Sequence, residues 1–537
     1  MGVVVGRVLL VCFAFGALVQ AVQAQEVDVG DLHERYLRLL QLSGDAPMRS
    51  FSNRPLIERD DLAPEDGDTG PWGLVRPQAI VGCEGCDLVI RPTSTGIRLF
   101  NNSHHPVNGL DGAVWQGKGL TTAIDFGASL EWRGLRLSFA PSLIWTQNSS
   151  FELAPVEVGG QSVFGYPWRP IDLPQRFGAS SFSRLDAGQS EFRVSGFGMT
   201  GGFGTRNLWW GPGVRSGILM GNNAGGFPHA FLGTRGPRSI GIGTVEANWI
   251  WGSLAQSKYF DLPASSDDRY LTGLVVSFAP SFLHGLHVGF ARVFYGWVPP
   301  DGVSVGDRFL VFQGIRKERL QSGGNPTGDD ERDQIVSLFG RWVLPESGFE
   351  VYVEWVRNDH PLDFLDILLE PEHSQGYTLG LQKAVSLAGG RRLALQAELT
   401  HLEREATFQV RASPVYYAHH IVLQGYTHRG EVIGAGIGPG GIQQFVGVEL
   451  YEPWGKAGAL LQRRVTDNDA YYDWAADNGR PFDKHDVSID LGVHGAYFAG
   501  DVELSGAFTY TRQLNRYFFG PKVDNFNVRL SLRWMPS

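Results

Sequence analysis

The chain has 537 residues, with 46 Lys plus Arg against 56 Asp plus Glu and a formal net charge of -10. An acidic balance of this kind gives no general electrostatic pull toward nucleic acid, so that class of partner is excluded. Charged residues make up 19% of the chain, below the ~25% of ordinary globular domains, whereas 70 glycines and a 12% aromatic share are high. That mixture suits a β protein better than a helical enzyme. Composition does not shift along the chain, and one large unit is expected.

The chain opens on an export signal. Arg7 precedes the apolar run from Val8 to Val19, and Val22-Gln23-Ala24 has the small or short residues of a cleavage site, so residues 1–24 are expected to be removed after Ala24. The run is too short for a permanent span. Cys12 lies inside the signal, which leaves Cys83 and Cys86. In an oxidising compartment a local disulfide between Cys83 and Cys86 is expected. A redox motif would need a βαβ setting, and a metal site would need more ligands than two cysteines.

Residues 25–86 read as a periplasmic helix and a linker. Leu32, Tyr36, Leu39 and Leu40 form one helical stripe within residues 31–43, with Asp31 as N-cap and Gly44 as the stop. An Asp- and Pro-rich linker follows at 54–75. After the signal there is no run of ~18 apolar residues, so no helix is expected to cross a membrane. A closed β-barrel is the other fold that satisfies every backbone group in lipid.

Residues 87–537 carry the barrel pattern. Phe526, Val528, Leu530, Leu532 and Trp534 alternate with Asn527, Arg529, Ser531 and Arg533. The same alternation sets Phe349, Val351, Val353 and Trp355 against Glu350, Tyr352 and Glu354, and recurs at 393–400 and 502–510. Many segments reach the ~9–11 residues a membrane strand needs, and Trp145, Trp251, Trp297 and Trp534 stand at strand ends as an aromatic girdle would. About sixteen strands emerge, at 87–99, 120–131, 135–146, 190–204, 239–255, 270–280, 284–297, 333–344, 347–358, 373–387, 391–411, 442–452, 456–466, 485–498, 501–515 and 524–535. The expected fold is all-β: a transmembrane antiparallel barrel of about 16–18 strands, with a short N-terminal helix and inward-folded segments.

Very short turns near Arg133, Glu346, Gly389, Trp454 and Gly500 alternate with long polar links, the habit of bacterial outer-membrane barrels. By parity the segment 205–238 falls on the periplasmic side, where it is far too long for a turn. It therefore reads either as an inward-folded plug or as a further pair of strands.

The stretches Asn102-Ser103 through Trp115-Gln116-Gly117-Lys118-Gly119, Asn207-Leu208-Trp209-Trp210-Gly211-Pro212-Gly213, Asn222-Asn223 to Phe227-Pro228-His229, and Tyr426-Thr427-His428-Arg429-Gly430 resemble the Wzi-type capsule assembly family of outer-membrane proteins. The resemblance implies a barrel of about 18 strands with a helical periplasmic portion. It also implies a lectin-like hold on capsular polysaccharide without enzymatic activity.

Sugar recognition needs aromatic faces for the apolar side of the ring and carboxylates, amides or arginines for its hydroxyls. Two long outer links carry both. The link at 412–441 offers Tyr426, His428 and Arg429, and the link at 467–484 offers Asp469, Tyr471, Tyr472, Asp473 and Trp474. These eight are the candidate glycan contacts. No catalytic constellation stands out, because Ser103-His104 is a pair of sequence neighbours rather than a nucleophile with its base. No metal or cofactor is expected. The paired histidines His104-His105 and His419-His420 diverge in a strand, and the glycines from Gly434 to Gly441 lack a βαβ unit. The acidic run Asp329 to Asp333 reads as a solvated tip.

The function expected is retention of capsular or exported polysaccharide at the bacterial outer surface, with outer-membrane lipid and lipopolysaccharide as further partners. A porin-like diffusion channel is the alternative, and it would need an open lumen.

Overall fold

The computed structural model describes residues 26–57, 72, 79–82, 87–107, 110–262, 266–313, 332–358, 368–405, 413–478 and 484–534. The export signal, the Cys83/Cys86 pair and the acidic residues 329–331 lie outside them.

Among the described residues, eighteen antiparallel strands close into a barrel. They are β1 (88–102), β2 (119–132), β3 (135–146), β4 (182–196), β5 (Met199–Gly204), β6 (229–239), β7 (Gly243–Ala255), β8 (Asp268–Pro280) and β9 (Leu286–Trp297). The second half comprises β10 (Arg332–Leu344), β11 (Phe349–Asn358), β12 (Gln375–Ser386), β13 (Arg392–His401), β14 (Ile442–Glu452), β15 (Gly455–Val465), β16 (Val487–Ala499), β17 (Val502–Leu514) and β18 (Val523–Trp534). Each pairs with its chain neighbour. β18 closes on β1 with Leu530 opposite Leu99 and Trp534 opposite Thr95.

Burial along the strands is inverted relative to a water-soluble sandwich. On β18 Phe526, Leu530 and Trp534 are 46%, 55% and 45% exposed, while Asn525 and Asn527 are 0% and 2%. On β11 Val351 and Val353 are exposed and Glu350, Tyr352 and Glu354 are buried. Apolar side chains turned outward and polar ones turned inward are what a lipid solvent demands. Exposed Trp132, Trp342, Trp454, Tyr497 and Trp534 ring the short-turn end, and exposed Trp145 sits at the other. Trp297 is not part of that girdle, since it turns inward and donates to Gln424 Oε1 at 2.9 Å. Trp251 donates to the Arg308 carbonyl at 3.1 Å, beneath a segment that lies against the wall.

The expected strand 190–204 is in fact a hairpin. β4 and β5 are joined by Phe197-Gly198, both at positive φ (52° and 75°), the two-residue turn whose twist matches a hairpin. β6 is the other strand of the missing pair. This unexpected turn reverses the parity expected for residues 205–228: they leave the wall at the long-loop end, opposite the short turns, and then fold inward. Gly204 pairs with His229 and Glu191, so β5 and β6 leave the upper part of β4 with no wall neighbour on that side.

The lumen is obstructed by folded chain. Trp210, Ile218 and Met220 of the inserted loop and Tyr416, Tyr417 and Tyr426 of the link after β13 pack as one buried cluster against Leu271, Val293, Tyr295, Ile335 and Phe339 of the wall. A Cβ at Gly273 would meet the Trp210 ring at 2.8 Å, so glycine lets the indole lie flat on β8. The helix α1 (Leu32–Leu42) closes the short-turn end. Asp31 caps it, accepting from His33 N at 2.8 Å, and Tyr36, Leu39 and Leu40 pack on Trp72, Ala384, Tyr451 and Phe498. Its polar face is also buried, at Glu34, Arg38 and Gln41, because the helix sits within the barrel mouth rather than beneath it in water.

Candidate functional site

At the long-loop end the helix α2 (Asn468–Asn478) lies against the links 147–181 and 515–522. Trp474 stands 5.4 Å from Trp168 and 5.7 Å from Phe519 between ring centroids. Phe519 is 47% and Tyr472 36% exposed, which leaves aromatic faces open to solvent. Polar groups border them. Trp474 Nε1 donates to Glu157 at 2.8 Å, Asp473 accepts from Arg404, and Arg169 donates to Asp467 at 2.8 Å. Such a mix of ring faces, carboxylates and guanidiniums has the chemistry for a saccharide. Trp168 and Phe519 were not singled out in the sequence, although Tyr166-Pro167-Trp168-Arg169 meets the same criterion of aromatics beside Arg in a long link.

The eight candidate residues divide by burial. Asp473 and Trp474 belong to the patch, while Tyr472 is exposed on the same helix beside His485. Tyr471 is fully buried, 4.0 Å from His485 and 5.5 Å from Phe518 by ring centroids, and Asp469 is 1% exposed and accepts from Arg404 N at 3.0 Å. Both hold the loop together from within. Tyr426 is buried against Tyr295. His428 and Arg429 belong to a small hairpin, Thr427–His428 with Glu431–Val432, that closes the wall beside β4. Arg429 N donates to the Ala255 carbonyl at 2.8 Å and its guanidinium meets Asp186 at 3.1 Å. Burial, with Arg429 and Arg269 nearby, holds the His428 imidazole down to about 3.

Burial and the adjacent Asp467 push the Asp469 carboxyl up to about 7. A raised carboxyl favours the protonated folded form, so its contribution to stability is complete below the ordinary value of ~3.9 and is lost as pH rises through about 7. Limited proteolysis of the 466–486 link should therefore run faster at pH 8 than at pH 5. Asp469→Asn should remove the difference, and equal rates in the wild-type chain would refute this assignment.

Inside the barrel, between α1, the inserted loop and the strands β13 to β18 and β1 to β4, lies a cavity of about 550 Å³. Most of its charges are paired along its walls: Arg98 with Asp125 at 2.7 Å, Lys456 with Glu449 at 2.6 Å, and Arg529 with Asp111 at 2.8 Å. Ser103 Oγ bonds Asn525 and accepts from Phe526 N, joining the link after β1 to β18. Among the described residues no three His, Cys, Asp or Glu side chains gather as a metal set, and Asp333 is buried, accepting from Tyr295 at 2.8 Å.

The sequence profile of the family described as capsule assembly protein Wzi matches residues 116–510. No curated protein sequence matches the chain. Among solved structures, the chain is similar to Escherichia coli Wzi, described as an outer-membrane, carbohydrate-binding β-barrel involved in group 1 capsule assembly. The identity is 12% and the TM-score 0.61, over 95% of this chain and 99% of that one. Pseudomonas aeruginosa OprD matches at 10% identity and a TM-score of 0.39, over 85% and 96%, and Acinetobacter baumannii OccAB4 at 10% and 0.38, over 82% and 97%. The profile match spans most of the barrel, and the fold is that of the E. coli protein: the chain belongs to the Wzi family of capsule assembly proteins, and it is a β-barrel of the bacterial outer membrane.

Proposed function

We propose that the protein retains a capsular or exported polysaccharide noncovalently at the outer surface and leaves the polymer uncut. The observation that carries this reading is the aromatic patch of Trp168, Trp474 and Phe519, bordered by Asp473, Arg169 and Glu157, with the exposed Tyr472 ring on the same helix, above an obstructed lumen. A diffusion channel needs an open path, and the buried cluster around Trp210 blocks this one. The outward apolar band serves for contact with membrane lipid and lipopolysaccharide.

Each stacked ring contributes about 0.5–1.5 kcal/mol beyond its area, and a repeating polymer multiplies weak contacts. Replacing Tyr472 and Trp474 together by Ala should release a large part of the cell-bound polysaccharide into the medium while the barrel assembles normally. Tyr471→Ala serves as the contrast, because that ring is buried and its loss should loosen the link as a whole. Undiminished cell-bound polysaccharide in the double variant would count against the patch.

A further inference from the structure

Two guanidiniums on the lumen cavity make no direct ion pair among the described residues, although the Glu398 carboxylate takes the Arg215 backbone N–H and Glu449 lies within the field of Arg35. Arg35 comes from α1 and Arg215 from the inserted loop, and both line the space of about 550 Å³. Neither makes an ion pair among the described residues, whereas Arg98, Lys456, Arg529 and Arg533 on the same cavity are all paired. Arg215 lies over the Phe445 ring at 4.7 Å. Its Nε is buried with no hydrogen-bond partner. Further polar atoms of residues on the cavity are without a hydrogen-bond partner, among them Gln396 Nε2, Trp209 Nε1, Arg54 Nε and the Thr93 hydroxyl. Buried polar groups are otherwise satisfied as a rule, and an orphaned donor asks for an explanation. Here they line one cavity, and each can donate.

We infer that this cavity is a binding site for an acidic sugar unit, with Arg35 and Arg215 on its carboxylate, Phe445 against the ring, and Gln396 and Trp209 donating to hydroxyls. Two arginines on one anion, an aromatic face and neutral donors at the edge form the set that a sugar acid satisfies. The volume falls in the range of small-ligand sites, ~300–1,000 Å³, and suits one or two sugar rings rather than a threaded polymer. Burial lowers the Arg215 guanidinium to about 10; Arg35 adds to the depression and Glu398 opposes it without offsetting it, a balance that a further anion would relieve. The site stands apart from the outer-loop patch: it uses none of its residues and would hold even if the loops gripped nothing.

Isothermal titration of the detergent-solubilised full chain tests it, with a glucuronate-containing disaccharide, cellobiose and inorganic phosphate as three separate probes. The acidic disaccharide should bind, and cellobiose and phosphate should each bind at least roughly tenfold more weakly, since a hydrogen bond to a charged group is worth ~1.5–3 kcal/mol. Arg35→Gln with Arg215→Gln should abolish the heat of binding. Neither arginine makes a direct ion pair, so the same double variant should still migrate heat-modifiably as wild type does, and loss of that behaviour together with binding would overturn the site in favour of a structural role. Equal binding of cellobiose, preference for phosphate alone, binding undiminished in the double variant, or no binding by the wild-type chain would each overturn the site. Whole-cell polysaccharide retention by the Tyr472 and Trp474 variants reads out the loop patch independently of all four.

Discussion

Replacing Trp210 by alanine should open a barrel that is otherwise electrically silent. Trp210 is fully buried at the centre of the lumen cluster, with its ring against Gly273 and Val293 of the wall. Its backbone is fixed from both sides: N–H donates to the Met220 carbonyl at 3.2 Å, and the residue pairs with Asn53 of the N-terminal segment. Removing a buried indole costs about 3–5 kcal/mol where the site cannot collapse. The rigid barrel wall prevents collapse, so the cost falls on the docking of the inserted loop. In planar bilayers the wild-type protein should show almost no conductance and Trp210→Ala should show frequent openings. The variant should still migrate heat-modifiably, as the closed ladder of strands is untouched. Open-porin conductance in the wild type would revive the diffusion-channel reading.

A second large effect is expected at Glu350. This β11 carboxylate is wholly buried and accepts from Arg341 at 2.6 and 2.9 Å, from Gln382 at 2.7 Å and from Arg38 Nε at 2.9 Å. Arg38 also reaches the Pro212 carbonyl at 2.8 Å, and Arg341 reaches Gln41 at 3.0 Å. One carboxylate thus ties together the wall, α1 and the inserted loop. Glu350→Ala leaves two desolvated guanidiniums uncompensated, a loss of about 3–5 kcal/mol. Heat-modifiability should shift to lower temperature, and chymotrypsin should gain access to Tyr36 as α1 undocks. Replacing Arg38, Arg341 and Glu350 together by Met, Met and Leu should recover most of the loss, since a well-packed apolar set can match a buried ion network. A single Glu350→Ala variant as resistant as wild type would show that α1 is held by its apolar face alone.

The barrel was legible because lipid imposes a strict period of two. Asn525 to Trp534 could be read as inward and outward in turn, and the structure places those side chains accordingly. Phe197-Gly198 was missed because Met199 to Gly204 is short and rich in glycine, with no apolar alternation to separate it from β4. That one turn hid a strand pair and put the inserted loop on the wrong side.

The candidate site was legible in part. Loop composition pointed to the α2 link, but it could not say that Tyr471 and Asp469 are buried while Tyr472 keeps an exposed ring and Trp474 packs on Trp168 and Phe519. These positions alternate around a helix that turns ~100° per residue, and loops pack it on more than one side. Tyr426 and His428 carried the right chemistry and are buried, since their link folds into the lumen rather than over it. The cavity was invisible from the sequence, as Arg35, Arg215 and Phe445 meet only when a helix, an inserted loop and a wall strand come together.

Retention of polysaccharide on the cell without cutting is tested most directly by the partition of surface polysaccharide between cells and medium. That partition, with the polymer's chain length, is measured in a strain deleted for this chain and in the same strain complemented. Deletion should move polymer into the medium at unchanged total amount and length, and complementation should return it to the cells. Unaltered partition on deletion, or a polymer length that depends on the protein, would contradict retention as the function of this barrel.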